Sequence, residues 1–207
     1  MIQTPRLRLR ALNADDIDDF LAYRSDPDVL RYQGMGPMSR EKATAFIEEM
    51  ADAYLGFSAG SADSGVGPHH DVDLRDGASQ QDAWKPGQWL QIAIVHSNQQ
   101  KLIGDLALKL DAYEPRIAEI GFTINPAFQR KGYAAEAVRH LIQYLFAEKE
   151  IHRIIALVDV RNPASYLLLE KLGFRREAHY RKSYFDKING AWFDEYRYGL
   201  LKEEYDF

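Results

Sequence analysis

A chain of 207 residues is long enough for one full hydrophobic core, and 46% apolar residues is an ordinary share for a globular domain. With no cysteine it has no disulfide, no thiolate nucleophile and no Cys-based metal site, and its formal charge of -5 argues against broad nucleic-acid affinity while favouring cationic partners. No stretch approaches the roughly 18 apolar residues of a membrane span, and Met1-Ile2-Gln3-Thr4-Pro5-Arg6 lacks a basic segment followed by an apolar run, so the expectation is a soluble cytoplasmic protein without membrane partners.

Leu7 and Leu9 alternate with Arg6, Arg8 and Arg10, which predicts a first strand over 5–10 with one polar face. Asn13 is placed to cap a short helix in which Asp15 and Asp16 fill the first turn and Ile17, Phe20 and Leu21 form the buried stripe. Ser25-Asp26-Pro27-Asp28 reads as a turn or helix start leading to Val29, Leu30 and Tyr32. Ser39 is placed to cap a helix carrying Ala43, Phe46, Ile47 and Met50.

The segment 56–87 breaks this order. It is rich in Gly, Ser and Asp with almost no periodicity, which predicts a long loop inserted into the domain, either a lid over a substrate or a tolerated surface insertion. His69-His70-Asp71 and Asp73 lie within it. Sequential neighbours rarely face one metal ion and no ligands converge from elsewhere, so no metal site is expected.

Strands are predicted at 88–95, 101–110, 116–124, 152–158, 174–185 and 192–201, with helices at 132–147 and 163–172 between the later ones. The fold class is therefore α/β with a mixed sheet, antiparallel in its first half, in a single domain over 1–207.

Residues 118–124 put Ala118, Ile120, Phe122 and Ile124 on one face of a strand and Glu119, Gly121 and Thr123 on the other. After Asn125-Pro126, the run Phe128-Gln129-Arg130-Lys131-Gly132-Tyr133-Ala134-Ala135-Glu136-Ala137 leads into a helix with Ala134, Ala137, Val138, Leu141 and Leu145 at helical spacing. The amides of residues 130–135 thus open a helix, where unpaired N–H groups and the positive end of the dipole attract anions. Gly132 and Ala134 keep side chains out of the way, and Arg130 and Lys131 add charge. The guest expected there is a phosphate or pyrophosphate, although a glycine at such a junction can also be only a turn residue. Neither G-x-G-x-x-G nor G-x-x-x-x-G-K-S/T is present.

Gln129-x-x-Gly132-x-Ala134 resembles the Q/R-x-x-G-x-G/A signature of the GNAT superfamily of N-acetyltransferases. Asn162-Pro163-Ala164-Ser165 through Leu172-Gly173-Phe174 looks like that superfamily's second cofactor-side element. Its local chemistry agrees, with Asn162 as N-cap, Pro163 in the first turn and Gly173 at the C-terminal stop. Thr4-Pro5-Arg6-Leu7-Arg8-Leu9-Arg10 and Gly190-Ala191-Trp192-Phe193-Asp194-Glu195-Tyr196 resemble the RimJ/RimL-like branch.

The resemblance implies a mostly antiparallel sheet of about seven strands flanked by helices, and acetyl-CoA as cosubstrate, with no metal. Its pyrophosphate would be held by Gln129, Arg130, Lys131, Gly132, Tyr133, Ala134 and Ala135, with Asn162 and Ser165 as further contacts. It implies direct attack by a primary amine, a protein N-terminus or a small cation, in a ternary complex. The strand ending near Ile124 would splay from the one at 154–158, and a main-chain N–H between Phe122 and Ile124 would polarise the carbonyl. Glu119 resembles the family's strand glutamate and is the candidate general base, with pairing to a neighbouring Lys or Arg as the alternative. Ser165 is the candidate donor to the departing sulfur, or only a capping side chain. The family often places Tyr four residues beyond it, but here that position is Leu169, which leaves Ser165, Tyr166 or no acid at all. Tyr32, Trp84, Trp89, Tyr184 and Trp192 are candidate walls of an acceptor pocket, and Asp194 and Glu195 candidate attractors of a cation, or a solvated edge. The family also contains homodimers. The competing reading is a catalytically silent acetyl-CoA-binding module.

Overall fold

The computed structural model describes residues 1–33, 36–58 and 85–206. Strand β1 (Ile2–Gln3) is followed by β2 (Leu7–Ala11), a 3-10 turn at Ala14–Asp16, and helices α1 (Ile17–Arg24), α2 (Pro27–Leu30) and α3 (Arg40–Ser58). Then come β3 (Trp89–His96), β4 (Lys101–Leu110), β5 (Ile117–Ile124), α4 (Tyr133–Glu148), β6 (Arg153–Asp159), α5 (Pro163–Lys171), β7 (Arg175–Asp186) and β8 (Ala191–Leu201). The caps fall where the sequence places them. Asn13 Oδ1 accepts from Asp15 N, Asp26 caps α2 ahead of Pro27, and Ser39 Oγ accepts from Lys42 N.

All strands join one sheet in the order β1-β2-β3-β4-β5-β6-β8-β7, and every pairing is antiparallel except β5 with β6. The seven expected strands are all present, and the eighth is the two-residue β1, too short to show any period. Helix α3 continues to Ser58, past the expected loop start at 56, because Ala and apolar residues carry the helical pattern onward.

Each sheet face has its own core. On one, Leu90, Ile92, Ile94, Leu106, Leu108, Ile120 and Ile154 pack against Val138, Leu141, Ile142, Leu145 and Phe146 of α4 and Leu169 of α5. On the other, Ala93, Val95 and Leu102 meet Phe20 and Tyr23 of α1 and Ala43, Ile47 and Met50 of α3. Burial of each large aliphatic side chain contributes about 1.5–3 kcal/mol, so both helical layers are held by their apolar stripes. No described helix is long and apolar enough to cross a membrane.

Candidate active site

The sheet parts between β5 and β6. β5 and β6 pair only through Ile117, Ala118 and Glu119 opposite Arg153, Ile154 and Ile155; beyond Glu119 the two strands part. Backbone bonds from Asp111 to Ile117 and from Asn125 to Ile103 bracket the β4–β5 ladder. Because antiparallel bonding alternates, the odd-numbered residues of β5 turn their amides to β4 and the even-numbered ones turn away. The amides of Phe122 and Ile124 therefore face the gap.

Beyond β5 the chain makes a 3-10 turn (Pro126–Phe128) capped by Asn125, then the junction into α4. Arg130 (φ 61°) and Gly132 (φ 82°) both adopt left-handed backbone. Left-handed residues interrupting ordinary ones curl successive N–H groups into a concave nest suited to anions. At Gly132 a Cβ would also meet Arg6 Nη2 at 3.4 Å. The first backbone bond of α4 runs from Glu136 N to Gly132 O, and the amides of residues 130–135 make no hydrogen bond among the described residues. The side chains there have structural duties. Gln129 Nε2 donates to Ile124 O at 2.9 Å, bracing the turn against the strand end. Lys131 Nζ folds back onto Ala127 O at 2.9 Å, and Tyr133 OH meets His96 Nε2 at 3.1 Å beneath the Arg6 guanidinium. Arg130 is exposed, and Ala134 and Ala135 are half-buried with no bulk to obstruct the nest.

An N-terminal strap holds this junction. Glu136 accepts Thr4 Oγ1 (2.5 Å), Arg6 N (2.8 Å) and Arg6 Nε (2.6 Å), while Arg6 Nη1 donates to Lys131 O at 3.0 Å. Burial raises the Glu136 pKa, but the bonds from Thr4 and Arg6 outweigh it and leave the carboxyl below its ordinary range.

The opposite face of the gap is polar. Glu119 stands at its apex, the last residue paired with β6, with Lys109 Nζ 2.6 Å away and Lys109 in turn over the Trp89 ring at 4.4 Å. Farther out, buried Asp105 accepts Arg24 Nη2 (2.6 Å), Arg24 Nε (3.1 Å) and Tyr23 OH (2.5 Å). Burial, reinforced by Asp105, pushes the Tyr23 hydroxyl well up; burial opposes the Arg24 charge, but Asp105 and Tyr23 together more than compensate and its pKa rises. Arg24 Nη1 donates to Gln33 Oε1 at 2.5 Å, and Gln33 Nε2 to Thr123 Oγ1 at 2.8 Å. At the end of β6, Asp159 is paired with Arg161, whose guanidinium lies over Phe193 at 3.3 Å and 5.8 Å from the Tyr32 ring. Burial and the carboxylates of Asp186, Glu195 and Asp159 raise the Tyr184 pKa.

Helix α5 enters from this same end of β6. Asn162 Oδ1 accepts Ser165 N at 3.2 Å, so the capping role is real, and no hydrogen bond among the described residues engages Ser165 Oγ. Leu169 is fully buried and Tyr166 is half-buried, edge-on to Tyr196 at 5.8 Å. Asp194 is occupied by Lys182 N and His179 Nε2, with Lys182 N the main cause of its lowered pKa; Glu195 accepts Ser183 Oγ at 2.8 Å. Trp192 packs on Phe185 at the exposed hairpin tip, whereas Trp89 stacks on Lys109, the partner of Glu119 at the apex of the gap. Trp84 and His69-His70-Asp71 lie outside the described residues. Among the described residues no group of three or more His, Cys, Asp or Glu could hold a metal ion.

Sequence reasoning missed the Glu136 strap and the Tyr23-Arg24-Asp105-Gln33-Thr123 network. An arginine at the end of an otherwise amphipathic helix was the one available hint, since its partner is 81 positions away.

A mixed sheet parted at the parallel pairing of β5 with β6, with a nest of open amides beside the gap and polar groups on the far face, defines an acyl-transferase architecture. The acetyltransferase (GNAT) domain model matches residues 6–175, and the chain belongs to that family of N-acetyltransferases. It is 29% identical over 205 residues to the uncharacterized N-acetyltransferase YnaD of Bacillus subtilis, covering 99% of each chain. The crystal structure of a GNAT-family acetyltransferase from Bacillus anthracis superposes with a TM-score of 0.74 at 27% identity, covering 98% of this chain and 99% of that one. The RimJ/RimL-like kinship shows in the alanine N-acetyltransferase of ribosomal protein uS5 from Escherichia coli, 39% identical over 75 residues, 36% of this chain and 38% of that one.

Proposed function

We propose that this N-acetyltransferase uses acetyl-CoA and transfers the acetyl group to a primary amine, a protein N-terminus or a small cation, by direct attack within a ternary complex. The observation that carries the reading is the run of unbonded amides at 130–135 beside the β5–β6 gap. These amides suit a pyrophosphate, supplemented by Arg130 and by the side-chain Nδ2 of Asn162 at the start of α5. The thioester then reaches the gap, where the amide of Phe122 or Ile124 stabilises the developing oxyanion. The amine nitrogen bonds to the carbonyl carbon, the C–S bond breaks and the CoA thiolate leaves. Glu119 takes the surplus proton of the amine, directly or through water. Ser165 Oγ donates to the departing sulfur, and a thiolate leaves readily even without full protonation.

Leu169 favours a second reading, a silent module that binds acetyl-CoA without turnover, because it puts a buried apolar side chain where the family often has a Tyr. Thiol release from acetyl-CoA, followed across spermidine, simple monoamines and peptides with free Ala or Ser N-termini, separates the two. Amine-dependent release is expected for at least one class. Tight acetyl-CoA binding with no release from any of them would establish the silent module instead.

A further inference from the structure

The far side of the gap carries a hydrogen-bond chain whose direction is fixed from one end. Arginine has only donors, so Gln33 Oε1, 2.5 Å from Arg24 Nη1, must accept. That orients the amide: its NH2 end is the one 2.8 Å from Thr123 Oγ1, and Thr123 must accept in turn. A threonine hydroxyl has a single proton, which Thr123 cannot give to Gln33. No hydrogen bond from Thr123 Oγ1 to an acceptor forms among the described residues, although Thr123 is only 8% exposed. The residue stands on β5 four positions past Glu119, where β6 has already departed. A buried donor without a partner is costly, and a ligand in the gap is what can accept from it.

Resting on the acetyl-CoA reading, we propose that the Thr123 hydroxyl is a catalytic residue that donates a hydrogen bond to the carbonyl oxygen of the acetyl thioester, and that Gln33 is its positioning residue. As the amine adds, negative charge grows on that oxygen and a donor already aimed there gains strength. No proton changes hands at Thr123: the N–C bond forms, the C–S bond breaks, the thiolate departs and the surplus amine proton goes to the base. The buried Arg24–Asp105 fork keeps Gln33, and through it Thr123, from turning.

The test pairs kinetics with infrared spectroscopy of bound acetyl-CoA labelled with carbon-13 at the carbonyl. Thr123→Val removes the donor, and Thr123→Ser keeps it. Gln33→Glu preserves shape and the Arg24 bond, but the introduced carboxylate only accepts, so it draws the Thr123 proton away from the gap. Thr123→Val and Gln33→Glu are each expected to lower kcat about 100-fold, with CoA affinity unchanged and the carbonyl band moved to higher frequency. Thr123→Ser should stay within about threefold of the wild type, and joining the two harmful changes should add little, because both remove one bond. An unchanged kcat and carbonyl band in Gln33→Glu overturn the proposal even where Thr123→Val fails to fold. If the wild type binds acetyl-CoA but acetylates none of the amines, the band shift alone decides. A wild type that shows no bound carbonyl band rejects the acetyl-CoA reading itself, an outcome distinct from a failure of Thr123.

Discussion

Glu119 illustrates how one carboxylate can satisfy two descriptions at once. It is a cross-strand partner of Lys109, 2.6 Å away, and it also sits at the apex of the gap between β5 and β6. A structural ion pair and a general base make opposite demands on Lys109. Glu119→Gln should lower turnover at neutral pH about 100-fold while leaving acetyl-CoA binding intact. Lys109→Met is the control, read by the same assay: a base freed of its ammonium keeps or gains activity, whereas a purely structural pair loses as much from either side. The sequence shows Glu119 as a strand-face acid, but nothing local distinguishes the two roles. Arg24, Asp105, Gln33 and Thr123 were less legible still. Each is unremarkable in its own segment, and their meaning arises only when α1 is laid across β4 and β5.

Helix α4 and its approach were the most legible element. The alternation of 118–124, the spacing of Ala137, Val138, Leu141 and Leu145, and Gly132 between them are all local signals, and the structure keeps them. What they omit is how the first turn of α4 is anchored. Glu136 takes donors from Thr4 and Arg6, residues more than a hundred positions upstream, and this ties the nest to the start of the chain. Its folded pKa is depressed, so the stabilisation is complete above the unfolded value of 4.5 and is lost as the pH falls through the lower folded value. Glu136→Gln should therefore be less stable than the wild type at pH 7, by about 1–3 kcal/mol for charge-assisted bonds made into neutral ones. In urea unfolding at a series of pH values, that difference should shrink steadily below pH 4.5. A difference independent of pH would mean that the side chain acts through packing alone.

At the scale of the whole molecule, the two cores divide the labour. The layer under α4 and α5 presents the amide nest and the capped start of α5, while the layer beneath α1 and α3 presents the polar network, Glu119 and the aromatic residues around Arg161. This division was only half readable beforehand: motif residues describe the amide nest, whereas the polar face is assembled from segments with no shared pattern. Its two sides nevertheless meet at one place, where β5 and β6 stop pairing after Glu119. On the proposed reading, such a breach gives each reactant a separate doorway, and traffic through one need not wait on the other. Rates measured against both reactants should give intersecting double-reciprocal lines, with CoA competing against acetyl-CoA but not against the amine. Parallel lines would mean that the acetyl group is first parked on the protein. If transfer is direct, as proposed, the missing ladder bonds act as a junction without a queue, in which neither reactant has to leave before the other arrives.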